Sequence, residues 1–346
     1  MAYTTINKST DYFNTKLYTG NGSTQTISSV GFQPDFTWIK HRDGETAHLL
    51  FDYVRGALKR IQTNTTNSES TLNNSLTSWN SDGFALGTEN DVNGNSRLFA
   101  SWNWKANGSG SANTDGSISS TVSANTTSGF SIVKYTGTGS AATIGHGLGV
   151  SPACIIFKDT SDSGGVDWFV YHQSTGATKR LKLNQTVASA TSSFINNTTP
   201  SSTVFNTEGG GATGTNANNF IAYCFAEKQG YSKFGSFVGS SNQQFIYTGF
   251  KPRWFMWKNT SQGSSTYDHW GMVDTSRQTP NGATDGYMRA NQNLAESSFS
   301  GNGLFFLSNG IQFNNTGRYN NNSGDTYIYM AFAEQPLVGD NPATAR

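Results

Sequence analysis

Gly31-Phe32-Gln33-Pro34-Asp35-Phe36-Thr37-Trp38-Ile39-Lys40 reads as a loop turning into a β-strand, and the same spacing returns twice. Gly149-Val150-Ser151-Pro152-Ala153-Cys154-Ile155-Ile156-Phe157-Lys158 and Gly249-Phe250-Lys251-Pro252-Arg253-Trp254-Phe255-Met256-Trp257-Lys258 keep the Gly, Pro and Lys at identical offsets. Proline lacks the N–H that a central ladder needs, so it is expected to start a strand, not to sit inside one. The residues after it are largely β-branched or aromatic, as strands prefer. Phe36/Trp38, Cys154/Ile156 and Trp254/Met256 share one parity and are assigned to a core face. The other parity holds Asp35 and Thr37 in the first copy but Phe255 and Trp257 in the third. That difference predicts a solvated face in one copy and a covered or adhesive face in the other.

Outward from the signature the repetition continues on both sides. Upstream, Tyr18-Thr-Gly20-Asn-Gly22 corresponds to Tyr135-Thr-Gly137-Thr-Gly139 and, more loosely, to Phe237-Val-Gly239. Downstream, each copy closes on an aromatic strand: Phe99 to Trp104, Phe220 to Glu227 and Tyr327 to Glu334. Gly-Asn, Asn-Gly and Asp-Gly pairs, as at Asp82-Gly83 and Asn93-Gly94, mark turns that need positive φ. No stretch carries a sustained 3.6-residue apolar stripe, and Val54 to Leu58 is long enough for one helical turn only. The expected fold is all-β: three tandem antiparallel β-sandwich modules, jelly-roll-like, with a small barrel as the alternative. The expected boundaries are 1–106 for the first module, 107–128 for a Gly/Ser/Thr/Asn linker, 129–230 for the second module, and 231–346 for a divergent third module with a C-terminal tail.

Charged residues make up 13% of the 346 residues, about half the roughly 25% of an ordinary soluble domain. Aromatic residues also make up 13%, which supplies enough apolar surface to fold and argues against disorder. A formal net charge of +1 offers no electrostatic footprint for a phosphate backbone, so nucleic acid is not an expected partner. No run of 18 apolar residues occurs and Met1 to Thr5 lacks signal-peptide character, so neither a membrane span nor an export signal is expected. Cys154 and Cys224 are too few for a disulfide framework or a four-cysteine zinc site and read as buried thiols.

The chemistry-bearing residues form no catalytic pattern. His41, His48, His146, His172 and His269 are scattered, without metal-ligand spacing, so neither metal nor cofactor is expected. His48 and Asp52 lie four apart on a strand, about 13 Å, too far for an acid/base dyad. No nucleophile elbow, P-loop or dinucleotide fingerprint is present, and the chain is read as non-enzymatic. Lys158 with Glu227 and Lys258 with Glu334 are expected as cross-strand ion pairs. Trp38, Trp102, Trp104 and Trp254 are assigned to the core. Trp79, Trp168, Trp257 and Trp270, together with Phe255, are the candidate ligand or docking surface: flat rings on which a sugar can stack, or contacts between modules or subunits.

Tyr18 to Arg42, His48 to Gly56, Ser81 to Gly87, Gly129 to Val133, Gly145 to Pro152, and the ending Tyr327 to Glu334 with Pro342-Ala-Thr-Ala-Arg346 resemble a β-rich module of unknown function. That module is found in bacteriophage tail-fibre-like and other virion proteins, common in marine phages. The resemblance implies a structural protein of tail-fibre, knob or capsid-decoration type, assembled in the host cytoplasm and exposed on the particle exterior. Its implied partners are other virion proteins and copies of itself; the alternative is a module that adsorbs to host surface glycan. It implies no catalytic residues. Three modules in one chain also suggest a trimer mimic, an idea that a linear arrangement of modules would contradict.

Overall fold

The computed structural model describes residues 4–336 except 241, 264–266, 279–285, 300–302 and 315–318. The C-terminal Pro342 to Arg346 string lies outside the described residues. Three large antiparallel sheets organise the chain. In sheet I the strands run in the order Phe13–Thr19, Leu98–Trp104, Phe36–His41, Leu49–Asp52, Lys59–Gln62, Ser70–Thr71. Sheet III has the same order: Ser232–Val238, Thr326–Pro336, Phe250–Asn259, Gly271–Asp274, Gly286–Arg289, Ser297–Ser298. Sheet II repeats it with Phe130–Thr136, Asn219–Phe225, Cys154–Asp159, Phe169–His172, Lys179–Lys182 and Ala190–Thr191, then adds two strands at the near edge.

Those two strands, Ser111–Asn113 and Ser120–Asn125, correct the expected linker. Ser120–Asn125 pairs with Phe130–Thr136 over six residue pairs. Ladder hydrogen bonds come from the backbone, so a Ser/Thr/Asn-rich segment supplies them as well as an apolar one. Val122 on this strand reaches the outer core of sheet II.

A small sheet covers the outer face of each large one and completes a sandwich. These are Gln25–Ile27, Gly83–Leu86 and Leu76–Asn80 over sheet I; Ala142–Gly145 and Val204–Thr207 over sheet II; and Gln244–Tyr247, Gly310–Phe313 and Leu304–Leu307 over sheet III. Ile39, Leu49, Phe51 and Phe99 pack beneath Ile27, Phe84 and Leu86. Phe255 and Trp257 pack beneath Ile246, Ile311 and Phe313. The expectation of a solvated second face therefore fails: Phe36–His41, like Cys154–Asp159, is buried throughout. Strands covered on both sides carry apolar residues on both parities.

The opposite faces of all three large sheets meet in one core. Phe36, Trp38, Leu50, Trp102 and Trp104 of sheet I pack with Cys154, Ile156, Val170, Tyr223 and Phe225 of sheet II and with Trp254, Met256, Met272, Met330 and Phe332 of sheet III. Register fixes which residues correspond, because Trp104 pairs with Phe36, Phe225 with Cys154 and Phe332 with Trp254. Those three corresponding rings touch one another in a closed triangle, with centroids 6.3 Å apart for Trp104 and Phe225, 5.9 Å for Phe225 and Phe332, and 5.5 Å for Trp104 and Phe332. The arrangement is cyclic, not linear.

The recurrent glycines follow from close packing. A Cβ on Gly20, Gly137 or Gly239 would stand 2.2, 2.3 or 2.1 Å from the carbonyl oxygen of Gly94, Thr215 or Asn322 respectively. No other residue fits that approach. Beside them Tyr18 stacks on Phe99, Tyr135 on Phe220 and Phe237 on Tyr327, with centroids 5.1, 5.2 and 4.9 Å apart. Pro252 departs from the expectation for proline: it lies inside Phe250–Asn259, at a register shift where the ladder is already interrupted. Pro34 and Pro152 precede their strands as expected.

Candidate functional site

The residues singled out as a docking surface are mostly interior. Phe255, Trp168 and Trp257 are fully buried and Trp270 nearly so. Trp79 is half-buried beside Tyr53, ring centroids 4.9 Å apart, and its Nε1 has no hydrogen-bond partner among the described residues. A buried indole is compatible with burial once its N–H is bonded, and in two cases the bond crosses between sheets. Trp168 Nε1 donates to the Gln62 carbonyl at 2.8 Å, joining sheet II to sheet I. Trp270 Nε1 donates to the Lys182 carbonyl at 2.8 Å, joining sheet III to sheet II. Residues 62, 182 and 289 correspond, and His48 stands where Trp168 and Trp270 do. Its Nδ1 accepts from Trp38 Nε1 at 2.8 Å, while its ring faces the Arg289 backbone of sheet III without a well-formed hydrogen bond.

A second cyclic set joins the sheets around the central core. The Tyr223 hydroxyl donates to Asp52 at 2.7 Å, and Trp102 Nε1 donates to Asp274 at 2.9 Å. At the third corresponding position His172 Nε2 donates to the Tyr329 carbonyl at 3.1 Å, its Nδ1 being occupied by the Ser174 N–H. Burial pushes His172 down to about 4, partly offset by the bond to Tyr329. Arg55 clasps Asp52 and Arg277 clasps Asp274, the latter at 2.6 Å, so both carboxylates are spent on structure. Nothing brings His48 to Asp52 as a dyad.

A third set lies on the backbone. Glu69 N donates to Thr160 O at 2.9 Å, Ser189 N to Thr260 O at 3.0 Å and Glu296 N to Arg42 O at 2.7 Å. These are corresponding positions in sheets I to II, II to III and III to I, and they close a ring.

Two of the three signature lysines serve the same junctions, and Lys158 and Lys258 do not form the expected ion pairs with Glu227 and Glu334. Lys158 Nζ donates to Thr66 O of the first copy and Lys258 Nζ to Thr186 O of the second, at 2.7 and 3.0 Å. Lys40 turns back to its own loop, donating to Gly44 O at 3.0 Å. Burial lowers Lys258 to about 7 and Lys40 and Lys158 to about 8. Glu227 pairs with Lys233 at 2.7 Å and Glu334 with Lys251 at 2.9 Å. Cys154 faces the central core and Cys224 the outer core of sheet II, so their side chains point to opposite faces and both thiols are free.

One polar cleft opens between sheets I and II, with a volume of about 190 Å³. Arg55 and Glu69 line it from sheet I; Lys134, Thr160, Ser161, Asn219 and Phe220 line it from sheet II. Arg55 joins Glu69 at 3.2 Å across its floor. Sequence reading missed the cleft, because its two walls are about 100 residues apart and meet only through the ring. Elsewhere, the outer surface of the small sheet over sheet III carries the exposed Phe245 and Tyr247. At the equivalent positions the small sheet over sheet I has Thr26 and Ser28, and that over sheet II has Thr143 and Gly145. Among the described residues no group of three His, Cys, Asp or Glu side chains is placed to hold a metal ion, and no helix is long and apolar enough to cross a membrane.

A family model described as a domain of unknown function (DUF7483) matches residues 8–336, spanning all three large sheets. No curated protein matches the chain.

Proposed function

The chain belongs to the DUF7483 family, and we propose that this member is a non-enzymatic structural component displayed on the exterior of a bacteriophage particle, of tail-fibre, knob or capsid-decoration type. The observation that carries the reading is the ring of corresponding backbone hydrogen bonds, 69 to 160, 189 to 260 and 296 to 42. Particle vertices and tail axes are cyclic, and a chain whose three sheets are copies of one module presents a nearly cyclic face to such a position. The polar groups that catalysis would need are engaged in holding sheets together: Asp52, Asp274 and His172 each bridge to a neighbouring sheet. A low-charge, hydroxyl- and amide-rich surface suits dense packing among other virion proteins, without long-range repulsion.

The third copy is the one equipped to meet a neighbour. Phe245 stands where the other two small sheets have Thr26 and Thr143, and Tyr247 where they have Ser28 and Gly145, so the third copy alone carries rings there. The interaction face is thus expected on the outside of the third sandwich and not on Phe255 and Trp257 beneath it. Gold-labelled antibodies against the purified chain test the placement. Labelling of intact particles supports it, whereas a chain absent from purified particles, or reached by antibody only after their disruption, contradicts it.

A further inference from the structure

The cleft between sheets I and II has a counterpart at each of the other two junctions, and the strand registers identify every lining position. At the junction of sheets III and I the corresponding residues are Arg277, Glu296, Leu17, Arg42, Asp43, Leu98 and Phe99. There the Arg42 side chain crosses to Glu296, Nε to Oε2 at 2.8 Å, and Leu17 packs on the central core. The Arg42–Glu296 pair thus spans the position that the cleft occupies at the first junction. At the junction of sheets II and III the charged pair is replaced by Thr175 and Ser189. Both the III–I junction, with Arg277 and Glu296 at 3.0 Å, and the first junction keep the Arg–Glu pair, but the first exchanges Arg42 for Thr160, Leu17 for Lys134, Asp43 for Ser161 and Leu98 for Asn219. Removing one guanidinium and two leucines opens the cleft and makes its wall polar.

We infer that this cleft binds one acidic sugar residue, a hexuronate, through its carboxylate and ring hydroxyls. Size sets the scale: a cleft of about 190 Å³ is large enough to seat one pyranose ring. Charge limits the ligand next. Arg55 is matched by Asp52, and Glu69 by Arg55 at 3.2 Å and Lys59 at 3.7 Å. Lys134 is exposed and takes part in no ion pair among the described residues, which leaves one positive charge for a carboxylate. The remaining groups suit hydroxyls. Asn219 Oδ1 accepts from Thr136 at 3.0 Å, and the amide nitrogen is left as a donor. Glu69 Oε1 has only the long contact to Lys59 and can accept from a sugar hydroxyl.

This site does not depend on the virion reading and is tested on the purified full chain. Calorimetric titration at low salt with glucuronic acid is compared with glucose, sodium acetate and inorganic phosphate. Saturable glucuronate binding is expected, with glucose and acetate each weaker by about tenfold or more, the worth of a charge-assisted contact. Thr160→Arg restores the side chain that fills the counterpart at Glu296 and is expected to abolish binding while keeping the melting temperature. Lys134→Ala, at an exposed position, is expected to weaken glucuronate by about tenfold and leave glucose unchanged. Absence of glucuronate binding, binding unchanged in both variants, or phosphate binding as tightly as glucuronate each overturns the assignment.

Discussion

The Tyr223 hydroxyl of sheet II donates a 2.7 Å hydrogen bond to the Asp52 carboxylate of sheet I, and both groups are buried. Asp52 is held from the other side by Arg55 of its own turn. Tyr223→Phe removes the cross-sheet donor and keeps the clasp, with an expected loss of about 1–3 kcal/mol in unfolding free energy. Asp52→Ala leaves the Arg55 charge buried without its closest partner and is expected to cost about 3–5 kcal/mol. Urea unfolding of both variants checks the order; equal effects would mean that the tyrosine bond, not the ion pair, dominates this junction.

Trp168 and Trp270 are expected to behave as core residues. Truncation to Ala at either position empties a buried indole site and breaks a bond to the neighbouring sheet, an expected loss of about 3–5 kcal/mol. The measurement is the melting temperature of the purified variant. Variants that keep wild-type stability would return these rings to a surface role.

Stability is expected to rise as pH increases from about 7 toward 10. Lys258 is lowered to about 7 by burial, whereas an unfolded lysine keeps its proton to about 10.4. Between those values the unfolded chain holds the extra proton, so the free energy of unfolding increases with pH. The penalty for burying the charge is fully present below the folded value and relieved as the amine becomes neutral. The neutral amine still has hydrogens for the Thr186 and Asn259 carbonyls. Thermal melts from pH 6.5 to 9.5 should slope upward, and Lys258→Met should flatten part of that slope. An identical slope in the variant would show that Lys258 does not supply it.

Replacing Phe245 and Tyr247 together by Ser is expected to leave the fold intact, since both side chains are exposed. The same double variant is expected to lose incorporation into particles, measured by complementing a deletion phage and quantifying the chain in purified virions. Normal incorporation would exclude this surface as the docking face.

The sequence repeats made much of this fold legible. The signature strands, the closing strands and the glycines at 20, 137 and 239 all stand where periodicity and spacing put them. Three things were not legible. Alternation assigns residues to two faces but does not say what covers the second, so the Phe255 and Trp257 face reads as either covered or adhesive, and a small sheet lies over it. Composition marked 107–128 as linker, yet its backbone extends sheet II. Separate modules were expected where the axis-facing residues form one shared core, because no local pattern distinguishes an apolar face that meets its own module from one that meets the next.

The ring closed by the three corresponding sheets is proposed to occupy a cyclic position on a particle. A symmetry-relaxed cryo-electron reconstruction of the virion, with local refinement around this chain, tests it most directly. A single copy is expected, seated with its Trp104, Phe225 and Phe332 triangle on a threefold axis of the particle. Three copies arranged around that axis, a seat away from any such axis, or no density for the chain would contradict it.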